Sequence, residues 1–230
     1  MKLNHYLAQA GICSRRAAVE LIKSGAIQIN HTLQKNPAYE VSPTDLVYYR
    51  KKQLSLPKTR YFLVNKPINY VTTTVDEEGR RTVLHLLPAS IHKQVRLFPV
   101  GRLDQDTSGL ILLTNDGAMA QQLAHPKYKI RKSYLVTVDQ PLKKEDLETL
   151  KQGRYLVDGR AHIDNFKVNP KNPHVAMVTI HNGKKHIIRR LFDNIGYTVR
   201  KLERVAFGPF TIHGIQVGTW KEVTFEPEQQ

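Results

Sequence analysis

The stretch best equipped for chemistry is Gly101-Arg102-Leu103-Asp104-Gln105-Asp106-Thr107-Ser108-Gly109. Two glycines bracket an arginine, two carboxylates and two hydroxyls, directly before the apolar run Leu110-Ile111-Leu112-Leu113. Loops at the ends of buried strands are where scaffolds present reactive groups. Asp104 and Asp106 share a face if the segment is extended, and a retaining glycosidase needs two carboxyls about 5–5.5 Å apart. The same residues also suit a plain loop in which Asp104 caps a turn and Arg102 pairs with Asp106. Composition alone leaves both readings open.

Two other stretches are rich in cations. Lys127-Tyr128-Lys129-Ile130-Arg131-Lys132-Ser133-Tyr134 interleaves four bases with two tyrosines. That pattern suits phosphates plus base stacking, and equally a solvated basic edge with Tyr134 in the core. In Asn182–Phe192 the residues Ile188, Leu191 and Phe192 mark the inward face of a helix, which puts Arg189 at its edge. A partly buried arginine requires a carboxylate partner, and Asp104 is the candidate. There are ten histidines but one cysteine, Cys13, and no H-E-x-x-H spacing; His181 and His186 stand five apart. No metal site is expected, and the lack of a Rossmann or Walker glycine loop predicts no nucleotide cofactor.

The elements that must position these groups follow from periodicity and punctuation. Leu3, Tyr6, Leu7 and Ala10 line one face of a short helix that Gly11 can end. Ser14 is placed to cap a second helix with Ala17, Ala18, Leu21 and Ile22 inside and Gly25 as its stop. That helix carries Arg15, Arg16 and Lys23, and two arginines in a first turn oppose the helix dipole. A phosphate-binding surface accounts for the anomaly; a solvated charged face is the plainer account. Residues 26–30 alternate as a strand with a turn at Asn30-His31, and Val41, Leu46, Val47 and Tyr49 predict further short strands. The charged run Arg50–Arg60, with Pro57, reads as a linker. Beyond it, strands are expected at 60–65, 109–114, 134–138 and 175–180, and helices at 118–124, 144–151 and 187–194.

The chain has 230 residues, 40% of them apolar, with 35 Lys/Arg against 20 Asp/Glu for a net charge of +15. Its sequence pI is near 9.9. Such a charge favours a polyanionic partner, nucleic acid before an anionic membrane. The basic bias is denser in residues 1–60, where ten Lys/Arg face three Asp/Glu, than in 61–230, where 25 face 17. A lone cysteine excludes an intramolecular disulfide. With no apolar leader in Met1-Lys2-Leu3-Asn4-His5 and no run long enough to span a membrane, a cytoplasmic protein is expected.

Leu3-Asn4-His5-Tyr6-Leu7-Ala8, Gly11, Ser14-Arg15-Arg16, Ile22, Gly25 and Ile27-Gln28-Ile29-Asn30 resemble an S4 RNA-binding domain. Asn65-Lys66-Pro67, Gly101-Arg102-Leu103-Asp104 with Thr107-Ser108-Gly109-Leu110, Lys132-Ser133-Tyr134-Leu135-Val136 and Arg189-Arg190-Leu191-Phe192 resemble the RsuA-type ribosomal RNA pseudouridine synthases. The resemblance implies an α+β protein: an S4 unit over 1–58, a linker at about 50–60, and a catalytic domain over 61–230. The catalytic domain is expected to hold a mixed, mainly antiparallel sheet flanked by helices. The implied reaction turns a uridine of ribosomal RNA into pseudouridine without cofactor or metal, and large-subunit RNA is the favoured target. Asp104 matches the essential aspartate, Tyr134 the tyrosine that handles the ribose C2′ proton, and Arg189 the base that pairs with the aspartate. Arg102 matches the arginine that holds the nucleotide out of its stack. Arg15, Arg16, Lys23, Lys66 and Lys132 are the further RNA-binding candidates. Ile187 departs from the family, which usually has a polar residue there. A monomer is expected. The rival readings are a non-catalytic RNA-binding or ribosome-assembly protein and a nucleoside-processing glycosidase.

Overall fold

The computed structural model describes residues 1–225. The chain forms two compact units. One comprises Met1–Thr59 with the short segments Ser90–Arg96 and Asn115–Gly117; the other comprises Arg60–Ala89, Leu97–Thr114 and Ala118 onward.

The first unit begins with α1 (Leu3–Gln9) and α2 (Arg15–Lys23). The Ser14 side chain accepts from the Ala17 N–H at 3.1 Å, the expected cap, and Gly11 and Gly25 take φ of +81° and +77°. Four short strands follow: β1 (Ile27–Ile29), β2 (Thr32–Leu33), β3 (Val47–Tyr49) and β4 (Lys52–Gln53), in the sheet order β2-β1-β3-β4. Leu3, Leu7, Ala18, Ile22, Ile27 and Val47 are all fully buried between helices and sheet. Two expectations need correction. Arg50-Lys51 is not the start of a linker but the turn of the β3–β4 hairpin, both residues having positive φ, with the Arg50 guanidinium resting 5.1 Å over the Tyr49 ring. Val41 is buried outside the strands, its N–H donating to the Met1 carbonyl at 2.9 Å beside an isolated Lys2–Glu40 bridge too short to make a strand.

After Thr59 the chain continues with β5 (Tyr61–Lys66), α3 (Ala89–Gln94), β6 (Phe98–Pro99), β7 (Ser108–Thr114), α4 (Gly117–Ala124), β8 (Lys132–Val138) and α5 (Lys144–Gln152); α3 from Ser90 on and Gly117 of α4 belong to the first unit, the rest to the second. The second unit is completed by β9 (Arg154–Leu156), β10 (Gly159–Ala161), β11 (Asn165–Asn169), β12 (Asn172–Ile180), α6 (Ile187–Asn194), β13 (Val199–Phe207), β14 (Phe210–Thr211) and β15 (Trp220–Val223). The large sheet runs β11-β12-β8-β13-β7-β5-β15, with β14 on β13 and β6 on β7. Every pairing is antiparallel except β13 with β7, so the sheet is mixed and mainly antiparallel. All seven residues of β7 are buried, as expected for a strand covered on both faces.

The parallel β7–β13 contact explains Gly109. It has φ +106°, and a Cβ there would sit 2.6 Å from the Arg204 nitrogen, inside the β13 backbone. Only glycine permits this approach. The loop 101–107 is thereby delivered to the mouth of the sheet at a fixed height.

Candidate active site

Asp104 sits in the loop between β6 and β7, and the loop is clamped on both sides of it. The Thr72 hydroxyl donates to the Leu103 carbonyl at 2.8 Å and accepts from the Leu103 N–H at 3.2 Å. On the other side the Gln105 carbonyl accepts from the Asn69 N–H at 2.8 Å and from Lys66 Nζ at 3.4 Å. Lys66 Nζ also donates to the carbonyls of Pro67 at 3.0 Å and Tyr70 at 2.9 Å. Lys66 is fully buried, and burial pushes its ammonium down to about 8, against the pull of the Asp106 and Asp104 charges. Lys66 is therefore a clamp rather than an RNA contact: with no exposed surface it cannot meet a phosphate.

Asp104 and Asp106 do not share a face. The Thr107 N–H donates to the Asp104 carbonyl at 3.1 Å, which makes the segment a turn. Asp106 takes Arg189, with Oδ2 2.9 Å from Nη2. Asp104 takes His186, with Oδ1 3.3 Å from Nε2. The expected Arg189–Asp104 pair is thus replaced by Arg189–Asp106. The reason is local: Arg189 Nη1 is held by the Val199 carbonyl at 3.0 Å, and Nη2 also reaches the Asp106 carbonyl at 3.4 Å. His186, in a left-handed conformation (φ +50°) just before α6, fills the place beside Asp104.

Asp104 stands where two clefts meet. One, of about 570 Å³, is lined by Asp104, Tyr134, Lys132, Ile187 and Arg204 among others. The other, of about 740 Å³, lies under Thr72, Arg80, Asp106 and Gln105. Arg102, Leu103, Asp104 and His186 border both. Volumes of this size hold a small molecule or one nucleotide unit. Tyr134 is buried in β8, opposite Arg204 of β13. Arg204 is also buried; its Nε donates to the Leu110 carbonyl at 2.7 Å, and its Nη2 is buried without a partner. Burial drives its pKa down while the Tyr134 hydroxyl works the other way. Lys132 is likewise lowered, by burial and then by the Arg204 charge, and its Nζ donates to the His181 carbonyl at 3.4 Å. Two crowded cations favour negative charge in this cleft.

Among the sequence candidates, Asp104, Tyr134, Lys132 and Arg102 border one cleft. Arg189 acts on the same loop from behind, through Asp106. Arg15, Arg16 and Lys23 are exposed on α2 in the other unit. Sequence reasoning missed His186 and Arg204 as cleft residues. His186 lay within a noted basic run, but Arg204 carried no local signal, since only β13–β8 pairing brings it to Tyr134. Among the described residues, the grouping of three metal-capable side chains, His162, Asp164 and His181, lies outside these clefts.

The loop that carries Asp104 thus enters β7, an interior strand of the mixed sheet. A solved structure described as a pseudouridylate synthase superposes with a TM-score of 0.67 and 26% identity, covering 97% of this chain and 96% of that one. Residues 60–194 match the RNA pseudouridylate synthase family and residues 1–47 the S4 domain. The chain belongs to the RNA pseudouridylate synthase family. It is 34% identical to ribosomal large subunit pseudouridine synthase B of Bacillus subtilis, over 97% of this chain and 92% of that protein. It is also 34% identical to the dual-specificity RNA pseudouridine synthase RluF of Escherichia coli, over 97% of this chain and 76% of that protein. An uncharacterized RNA pseudouridine synthase of Aquifex aeolicus is 36% identical over 97% of this chain.

Proposed function

We propose that this chain converts a specific uridine of large-subunit ribosomal RNA to pseudouridine, with Asp104 as the central catalytic group. The observation that carries the reading is the placement of Asp104 on the border of a nucleotide-sized cleft that also contains Tyr134, in a loop clamped by Thr72, Asn69 and Lys66. A pre-positioned carboxylate is what the isomerisation requires. The N1–C1′ bond breaks, the uracil turns, C5 bonds to C1′, and the C5 proton leaves while N1 takes up a proton. Asp104 acts at C1′ or in removal of the C2′ proton; on the second route Tyr134 handles that proton, which returns to C2′ before product leaves. Arg102, exposed at the cleft border, holds the nucleotide out of its stack. Arg189 is a positioning residue: it ties down Asp106, two residues from the carboxylate that reacts. The exposed cations of α2 supply phosphate contacts that offset the cost of extracting a base. The large-subunit target rests on the Bacillus subtilis relative.

The test is Asp104→Asn, which keeps size and turn-forming capacity while removing the charge. Pseudouridine formation, read as reverse-transcriptase stops after carbodiimide treatment of ribosomal RNA, should vanish while RNA affinity persists. Asp106→Asn, the control in the same turn, should retain measurable activity. Full activity in Asp104→Asn refutes the assignment. A chain that binds RNA but forms no pseudouridine even with Asp104 intact favours the RNA-binding or assembly reading.

A further inference from the structure

Three side chains that the chemistry above does not use converge at one end of the β11–β12 hairpin. His162 and Asp164 stand two apart between β10 and β11, with the wholly buried Ile163 between them. Extended chain puts such a pair on one side. The hairpin pairs Asn165 with Thr179, and the Asp164 N–H donates to the Thr179 carbonyl at 2.8 Å, which brings in His181 from the end of β12. His181 Nδ1 lies 2.6 Å from Asp164 Oδ1, and His162 Nε2 lies 3.5 Å from the same oxygen. The two imidazole centroids are 5.4 Å apart. One ligand atom from each residue falls within 4.8 Å of the others.

We propose that His162, Asp164 and His181 bind a divalent transition-metal ion, with zinc the best match. Two imidazoles and a carboxylate suit zinc, nickel or copper and not magnesium or calcium, which take oxygen ligands. Zinc bonds of about 2.0–2.2 Å place tetrahedral donors roughly 3.3 Å apart. The separations from Asp164 Oδ1 straddle that distance, and the half-exposed His162 ring is free to close the set. A simple His181–Asp164 hydrogen bond explains less. It gives no reason for a second imidazole at the same oxygen. Three protein ligands leave a fourth position for water.

The location gives the ion a role. The His181 carbonyl receives Lys132 Nζ, and the residues that follow, Asn182 to His186, wall the cleft up to the Asp104 contact. An ion on His181 anchors the base of that wall, so the site is a positioning device and takes no part in the chemistry.

The experiment titrates chelator-stripped full-length chain with Zn²⁺ against a chromogenic competitor, and with Co²⁺ read by its visible absorption. One ion per chain is expected, with a zinc-dependent rise in Tm. His162→Gln should weaken binding at least about tenfold, as loss of a ligand must exceed the loss of an outer partner. His162→Gln/His181→Gln should abolish binding and the Tm rise. The control His213→Gln, an exposed histidine elsewhere, should change neither. If the double variant proves misfolded by circular dichroism, His162→Gln alone decides, because its side chain is 44% exposed. Wild-type binding no tighter than that of the variants overturns the proposal.

Discussion

Three exposed cations of the first unit contrast with three sheltered ones of the second. On α2 of the first unit, Arg15, Arg16 and Lys23 are exposed, and Lys23 has only Glu20 at 3.7 Å beside it. In the second unit Lys66 and Arg204 are buried and Arg189 is only 23% exposed, and each is spent on carbonyls or a carboxylate of its own chain. Exposed cations act additively and are screened by salt. Buried ones cannot be removed without stranding their partners, so they set geometry. Cations of the same kind thus sit in two different environments, and only exposed ones are open to a polyanion.

The largest effect is expected of Lys66→Met. It strands the carbonyls of Pro67 and Tyr70 and leaves the Gln105 carbonyl with the Asn69 N–H as its one remaining donor, which loosens one side of the Asp104 turn. Activity should fall about 100-fold, since small misplacements at a reacting group cost that much, while RNA affinity changes little. Parallel loss of affinity, with the fold intact, would make Lys66 a binding residue after all.

Arg189→Ala and Asp106→Asn should each reduce turnover by about tenfold, with a combined effect close to that of either alone, because they act as one pair. Multiplicative losses would show that Arg189 reaches Asp104 during the reaction.

Arg15→Ala/Arg16→Ala/Lys23→Ala should weaken RNA binding and lower the salt slope by about 0.7–0.9 for each phosphate no longer neutralised, with turnover at saturating RNA unchanged. An unaltered slope would remove α2 from the interface.

The smallest effect is a titration. Burial holds the Lys66 ammonium down to about 8, so between there and the ordinary lysine value the unfolded chain binds the proton more tightly than the fold does. Lys66's drag on stability should therefore lessen as pH rises above about 8 and be constant below it. Carbon-13 NMR of labelled lysine should give one midpoint near 8; a Lys66 midpoint at the ordinary value would mean that its clamp is open to water.

Much of this was legible in the chain itself. The stop after α1, the cap and stop of α2, the apolar run Leu110–Leu113 in β7 and the helical spacing of α6 are short-range patterns, and short-range physics decides them. Asp104 stood out because a turn rich in reactive groups precedes a buried strand. Even the basic character of the first unit followed from counting.

Only the tertiary structure decided who pairs with whom. Asp104 and Asp106 look equivalent in sequence, but the turn closed by the Thr107 N–H sends one to His186 and the other to Arg189. Lys66 reads as a surface cation until the strand that carries it is found buried along its whole length. Arg204 meets Tyr134 through strand pairing across 70 residues, and His162 meets His181 through a hairpin. Periodicity reports which face of an element is apolar. It does not report which distant backbone supplies the carbonyl or carboxylate a charge must have, because that partner is chosen by register and packing.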